Sequence, residues 1–203
     1  DAIRGEEGSK VNITYRREAE DTTIEVTRRK VDIPTVFSRI IDGNIGYVQV
    51  TEFNESTATQ FSNQVDTLIG QGAQALVFDM RNNGGGTLSS VTKMLDKLLP
   101  EGDIISAEYK DGTVEVLAKS DENEIDLPMV VLTNNRTASA AELFTQALRD
   151  YGKAKSVGVT TYGKGTMQTV KKLNDGSAVN VTVARYLPPS GVSYDGEGIK
   201  PDY

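Results

Sequence analysis

Residues 75–86 read Ala-Leu-Val-Phe-Asp-Met-Arg-Asn-Asn-Gly-Gly-Gly, and the class of fold follows from this stretch. Ala75 to Met80 is a near-continuous apolar run, the pattern of a strand buried on both faces. Gly84, Gly85 and Gly86 then permit positive φ and the close approach of another backbone. Beyond them Leu88, Val91, Leu95 and Leu98 fall on one side of a helix. A strand, a glycine turn and a helix form the repeating unit of a mixed α/β domain.

The same unit recurs on both sides. Upstream, Ile45 to Val50 reads as a strand, and Ser56 is placed to cap a helix whose apolar face is Phe61, Val65, Leu68 and Ile69. Downstream, Met129 to Thr133 reads as a buried strand. Thr137 to Tyr151 follows as a helix, with Ala140, Phe144, Ala147 and Tyr151 near one face, and then Ala154 to Val159 as a strand. Ile104 to Tyr109 and Thr113 to Leu117 flank Asp111-Gly112, a hairpin signal. Thr166 to Leu173 and Ser177 to Leu187 are strands joined around Asn174-Asp175-Gly176. At the start of the chain, Val11–Tyr15 and Thr22–Val26 alternate apolar and polar residues, as half-buried strands do, with Arg16 to Asp21 joining them. Ile33-Pro34 marks a boundary, because proline disfavours ladder pairing. The expected domains are 1–33 and 34–203.

The chain has 203 residues, of which 37% are hydrophobic and 25% charged. That suffices for one main domain and a fragment of another. The net charge of −7 argues against nucleic acid, which is gripped by Lys and Arg against phosphates. No apolar run approaches the roughly 20 residues of a membrane span. No leader is visible, and the chain opens in mid-pattern, as it would if one were removed or left out. There is no Cys and no His. This excludes a thiolate nucleophile, a Cys-ligated zinc and every Ser-His-Asp triad. A hydrolase built from these residues must move its proton with Lys, Asp, Glu or a chain terminus.

Three segments are candidates for chemistry. Asn134 to Glu142 spans a strand-to-helix junction, where ligands bind in open α/β sheets. Ser139 there projects from the first helical turn, with free N–H groups and the positive dipole end beside it. The same residues also read as an ordinary capped helix start. Asp79 to Gly86 forms either an N–H nest for an anion or a plain tight turn, with Asp79 and Arg81 bracing the loop. Gly158 to Lys164 carries most of a phosphate-binding loop, G-x-x-x-x-G-K. Gly165 stands where Ser or Thr should hold magnesium, and Thr166 onward alternates like a strand rather than opening a helix. Lys164 suits a general base instead. An amine does this only when neutral, a form that burial favours. Positions 164, 166 and 168 share a face if the segment is a strand, so the neutral amide of Gln168 can orient the amine. Lys164 also reads as a surface cation in a glycine hairpin.

Together these segments resemble the carboxyl-terminal processing peptidases, the tail-specific Ser/Lys peptidases of the S41 type. The resemblance rests on residues 79–86, on Thr137-Ala138-Ser139-Ala140-Ala141-Glu142 and on Tyr162-Gly163-Lys164-Gly165-Thr166-Met167-Gln168. It continues in Arg185 to Gly191 and in Gly196-Glu197-Gly198-Ile199-Lys200-Pro201-Asp202. Lys164 follows Ser139 by 25 residues, and Gln168 follows Lys164 by four, as in the family. The resemblance implies Ser139 as nucleophile, Lys164 as base and Gln168 as its orienting partner. It implies Gly85 and Ala140 as oxyanion-hole donors, with Gly84 and Glu142 in support and neither metal nor cofactor. It further implies a crotonase/ClpP-like ββα sandwich, preceded in residues 1–33 by the second half of a PDZ domain. The expected partners are protein or peptide substrates with apolar C-termini, cut near the tail outside the cytoplasm of a bacterium. A membrane anchor outside this chain and a homo-oligomer are compatible with that reading.

The chain departs from the family pattern at both ends. The first half of the PDZ domain is missing, which places the carboxylate-capturing loop outside these residues. The last motif ends where family members usually continue. A catalytically silent tail-binding scaffold, an acyl-CoA enzyme of crotonase type and a nucleotide-binding loop are the rival readings.

Overall fold

The computed structural model describes residues 2–31 and 33–203; Asp1 and Asp32, both within the expected first domain, lie outside the described residues. The chain divides into two units, Asp1–Ile33 and Pro34–Tyr203.

In the first unit, β1 (Lys10–Arg17) pairs antiparallel with β2 (Glu20–Thr27), in register from Lys10↔Thr27 to Arg17↔Glu20. The turn is only Glu18-Ala19, shorter than the connection expected over residues 16–21. Both turn residues hold positive φ, 51° and 69°, as a two-residue hairpin turn requires to follow the strand twist. Arg16 and Asp21 therefore sit opposite each other as a forked ion pair of 2.6 and 2.8 Å. β2 is exposed along its whole length, so its alternation does not mark a half-buried face.

The second unit runs β3 (Val36–Ile41), β4 (Ile45–Val50), α1 (Thr57–Gly70), β5 (Ala75–Asp79), α2 (Leu88–Asp96), β6 (Gly102–Tyr109), β7 (Val114–Ser120), β8 (Met129–Thr133), α3 (Ala140–Asp150), β9 (Ala154–Gly158), β10 (Thr166–Lys172) and β11 (Ala178–Leu187). One sheet has the order β3-β4-β5-β8-β9. Its first pair is antiparallel and the other three pairs are parallel. Parallel neighbours need a crossover, and α1, α2 and α3 each lie in one. The second sheet, β10-β11-β6-β7, is antiparallel throughout. Helix α1 packs on β3 and β4, α3 packs on β9, and both α2 and α3 touch β6. Both sheets thus share one core, which includes Val48, Phe78, Val91, Ile104 and Phe144. At its centre Phe78 and Phe144 meet edge-on with centroids 5.3 Å apart, and Phe61 lies 5.5 Å from Phe78.

Three expectations about the helices need correction. Ser56 does not cap α1 with its side chain; Asn54 Oδ1 gathers that turn, accepting from Ser56 N–H at 2.9 Å and Thr57 Oγ1 at 3.0 Å. Ile69 is exposed rather than part of the buried face. Helix α3 begins at Ala140, not Thr137. The Thr137 hydroxyl is spent on Met80 O at 2.8 Å, and Ser139 takes a backbone shape no helix contains.

Candidate active site

Adjacent parallel strands β5, β8 and β9 bring their C-terminal ends to one edge, and each feeds a loop there: 80–87, 134–139 and 159–165. This edge is where open α/β sheets bind ligands. The loops are tied to one another. Asn82 and Asn134 exchange reciprocal bonds of 3.0 Å. Ala138 N–H donates to Asn83 O at 2.9 Å and Tyr162 N–H to Thr137 O at 3.0 Å. Behind them Asp79 is braced by the forked Arg81 guanidinium and by the Tyr47 hydroxyl. Burial alone would raise the Asp79 pKa, but the Arg81 and Tyr47 hydrogen bonds prevail and hold it below the usual carboxylate value.

Ser139 has φ 57° and ψ −117°. For a residue with a Cβ this costs on the order of 1–3 kcal/mol, so its surroundings must impose it. Glu142 Oε2 accepts the Ser139 N–H at 2.8 Å. Gly85 presses from the other side: a Cβ there would lie 2.8 Å from Ser139 Cβ and 3.1 Å from Ala140 N, and Gly85 also holds φ 102°. Ser139 and Glu142 form a capping box across the start of α3. A serine held on a strained strand-to-helix turn is the geometry of a nucleophile elbow.

Glu142 is fully buried and accepts four hydrogen bonds. Oε1 takes Thr161 Oγ1 at 2.5 Å and Gly163 N–H at 2.6 Å. Oε2 takes the N–H groups of both Ser139 and Lys164, each at 2.8 Å. One oxygen atom thus holds the two backbones that carry the expected nucleophile and base. Thr161 also accepts the Ile199 N–H at 2.7 Å, which fastens the chain's last turn to this hub. Sequence reasoning missed Thr161, since a threonine in a glycine loop carries no signal of a partner 38 residues on.

Lys164 lies between glycines the fold requires. A Cβ on Gly163 would stand 2.8 Å from Gly198 N, and one on Gly165 would stand 2.9 Å from Asp195 Cβ. After Gly165 comes strand β10 rather than a helix, so no helix N-terminus faces a phosphate. The Lys164 side chain is exposed, so the chain itself does not supply the expected burial. Its amine has no carboxylate partner among the described residues.

Gln168 lies in β10, and no hydrogen bond joins it to Lys164 among the described residues. Lys164 precedes β10, and the β10–β11 register shifts between Met167 and Gln168, where Val183 of β11 is the unpaired residue. The Gln168 amide accepts from Asn180 Nδ2 at 3.2 Å and donates to Thr182 at 3.5 Å. The Gly85 N–H is likewise engaged, donating to Asn83 Oδ1 at 2.9 Å. Gly84 has open space where a Cβ would go, so nothing there demands glycine. Gly86 does demand it, since its Cβ would meet Phe53 O at 2.1 Å. Gly86 also lines a small cleft at Ser139 and Ala140, walled by Leu88, Ile105, Leu143, Tyr186 and Tyr194. The sequence pointed to none of these cleft tyrosines.

A model of peptidase family S41 matches residues 44–203. The carboxy-terminal processing protease CtpA of Bacillus subtilis (strain 168) is 38% identical over 201 residues, which cover 98% of this chain and 43% of that protein. A probable CtpA-like serine protease of Staphylococcus haemolyticus (strain JCSC1435) is 34% identical over 203 residues, covering 98% and 41% respectively. Among solved structures, a photosystem II D1 C-terminal processing protease matches with TM-score 0.77 at 35% identity, over 98% of this chain and 56% of that one. The chain spans about two fifths of the length of the curated relatives it matches.

Proposed function

Since the chain belongs to peptidase family S41, we propose that its second unit carries the active site of a serine endopeptidase, with Ser139 as nucleophile and Lys164 as general base. The observation that carries this reading is Ser139 itself. Its backbone is held at φ 57°, and Glu142 Oε2 ties it to the Lys164 backbone.

In the proposed reaction, Ser139 Oγ attacks the scissile carbonyl carbon while its proton passes to neutral Lys164 Nζ. The C–N bond then breaks, and the departing amine takes that proton. Water, deprotonated by Lys164, hydrolyses the resulting ester and releases the acid. The Ala140 N–H has no acceptor within α3, and with an amide of the Gly85–Gly86 turn it receives the developing oxyanion. If Gly85 is that second donor, it must leave or share its bond to Asn83. The exposed Lys164 amine is covered once a substrate chain lies over it, since catalytic hydrogen bonds often tighten only in the complex. Gln168 orients the Lys164 amine through its amide oxygen, which keeps a second lone pair beside the one that Asn180 uses. Substrates are protein tails with apolar C-termini, met outside the cytoplasm of a bacterium. The core is of crotonase type, and residues 1–33 complete a PDZ domain that captures such tails by strand addition.

The test is cleavage of an unfolded protein such as casein by the full-length protein. Ser139→Ala should lower the rate at least about 1,000-fold. Undiminished cleavage by that variant removes the assignment.

A further inference from the structure

Residues 194–198 form a turn packed against the segment that carries Lys164. Glu197 N–H and Gly198 N–H both donate to Tyr194 O, at 3.2 and 2.9 Å, and Tyr194 is buried, so the turn is anchored. It grips both glycines beside Lys164. Gly196 N–H donates to Gly163 O at 2.8 Å, and Asp195 Oδ1 accepts the Gly165 N–H at 2.9 Å. A Cβ on Gly165 would lie 2.9 Å from Asp195 Cβ and 3.0 Å from Asp195 N, so only glycine admits the turn this closely. Glu142 takes the N–H of the peptide entering Lys164. Asp195 takes the N–H of the peptide leaving it.

Two glycines beside a lysine leave its backbone free to turn, and the lysine stem is itself flexible. The aim of the amine is then set by what holds the flanking peptides. Among the described residues Asp195 has no ion-pair partner, and the Gly165 N–H is the one donor its carboxylate receives. The fold therefore uses its acceptor oxygen rather than its charge. We propose that Asp195 is a positioning residue for the base: by holding the Gly165 N–H it fixes the peptide that leaves Lys164 and so directs the amine at Ser139. This rests on the peptidase reading above. Asp195 acts through Lys164, so its loss slows the chemical step, spares substrate affinity and matters only while Lys164 is present.

The experiment measures the rate at which a fluorophosphonate labels Ser139 in the full-length protein, together with kcat and KM on casein. Asp195→Ala should slow labelling and lower kcat by about tenfold, the worth of one buried hydrogen bond, with KM unchanged. Asp195→Asn keeps an oxygen acceptor and should recover both rates to within about threefold of the wild type. In a Lys164→Ala background Asp195→Ala should slow labelling no further, whereas a general loosening of the site would slow it there too. Wild-type rates in Asp195→Ala, no recovery in Asp195→Asn, a raised KM with kcat unchanged, or a further fall in the Lys164→Ala background overturns the proposal. Should Asp195→Ala not fold, Asp195→Leu, similar in shape and without an acceptor, is judged by the same outcomes. Failure of both to fold makes Asp195 a structural residue and overturns the proposal as well. If the wild type is not labelled at Ser139, or Lys164→Ala is labelled as fast as the wild type, the peptidase reading has failed and the proposal goes with it. If Lys164→Ala is slowed and Asp195→Ala is not, the proposal alone is lost.

Discussion

At the scale of single residues, Glu142 connects local conformation to chemistry. Two oxygens receive four donors, from Ser139, Thr161, Gly163 and Lys164. Glu142→Gln keeps the shape but turns one acceptor end into a donor facing donors. Each buried donor left unpaired costs on the order of 1–3 kcal/mol. The expected result is a melting temperature lowered by several degrees and a kcat lowered at least about tenfold, with KM little changed because Glu142 touches no substrate. Thermal melts and steady-state kinetics check both. Ser139, Lys164 and Glu142 fall in two of the sequence motifs, and the structure joins the Ser139 and Lys164 backbones through Glu142 Oε2. The hub role of Thr161 was not legible, because it arises from contacts with Glu142 and with Ile199, which no local pattern records. The bonds of Gln168 to Asn180 and Thr182 were not legible either, because they follow from the pairing of β10 with β11.

At the scale of elements, the three active-site loops depend on strands that end together and on the brace beneath them. Asp79, 1% exposed, is gripped by Arg81 and by Tyr47 on β4, and Arg39 on β3 stacks over the Tyr47 ring at 4.4 Å. Its depressed pKa sets the sign of a pH effect. The extra stability is present above the unfolded carboxylate value, about 3.9, and is lost as pH falls through the lower folded value. Thermal melts from pH 7 to 2 should show the wild type losing stability below about pH 4. Asp79→Asn should start lower at pH 7 and show a shallower acid limb; an unchanged limb would deny the brace its role. Strands with long apolar runs, such as β5 and β8, were plain in the sequence. Strand β3 was not, since Val36 to Ile41 mixes Ser38 and Arg39 into a half-exposed edge. The start of α3 was misjudged because the conformation of Ser139, imposed by Gly85 and Glu142, overrides local helix preference.

At the scale of the whole molecule, the three helical crossovers follow from the spacing of apolar runs, and with them the edge on which the site lies. The second sheet does not follow in the same way. The pairing of β11 with β6 spans a long separation, and hairpin signals specify only nearest neighbours. The shared core of two sheets gives Ser139 a rigid setting, and the central claim is that Lys164 activates the hydroxyl held there. The most direct measurement is the rate at which a fluorophosphonate probe labels the full-length protein, with the modified residue located by mass spectrometry. Labelling is expected on Ser139, absent in Ser139→Ala and slowed at least about 100-fold in Lys164→Ala. Labelling at Ser139 with an equal rate in the presence and absence of Lys164 would contradict it.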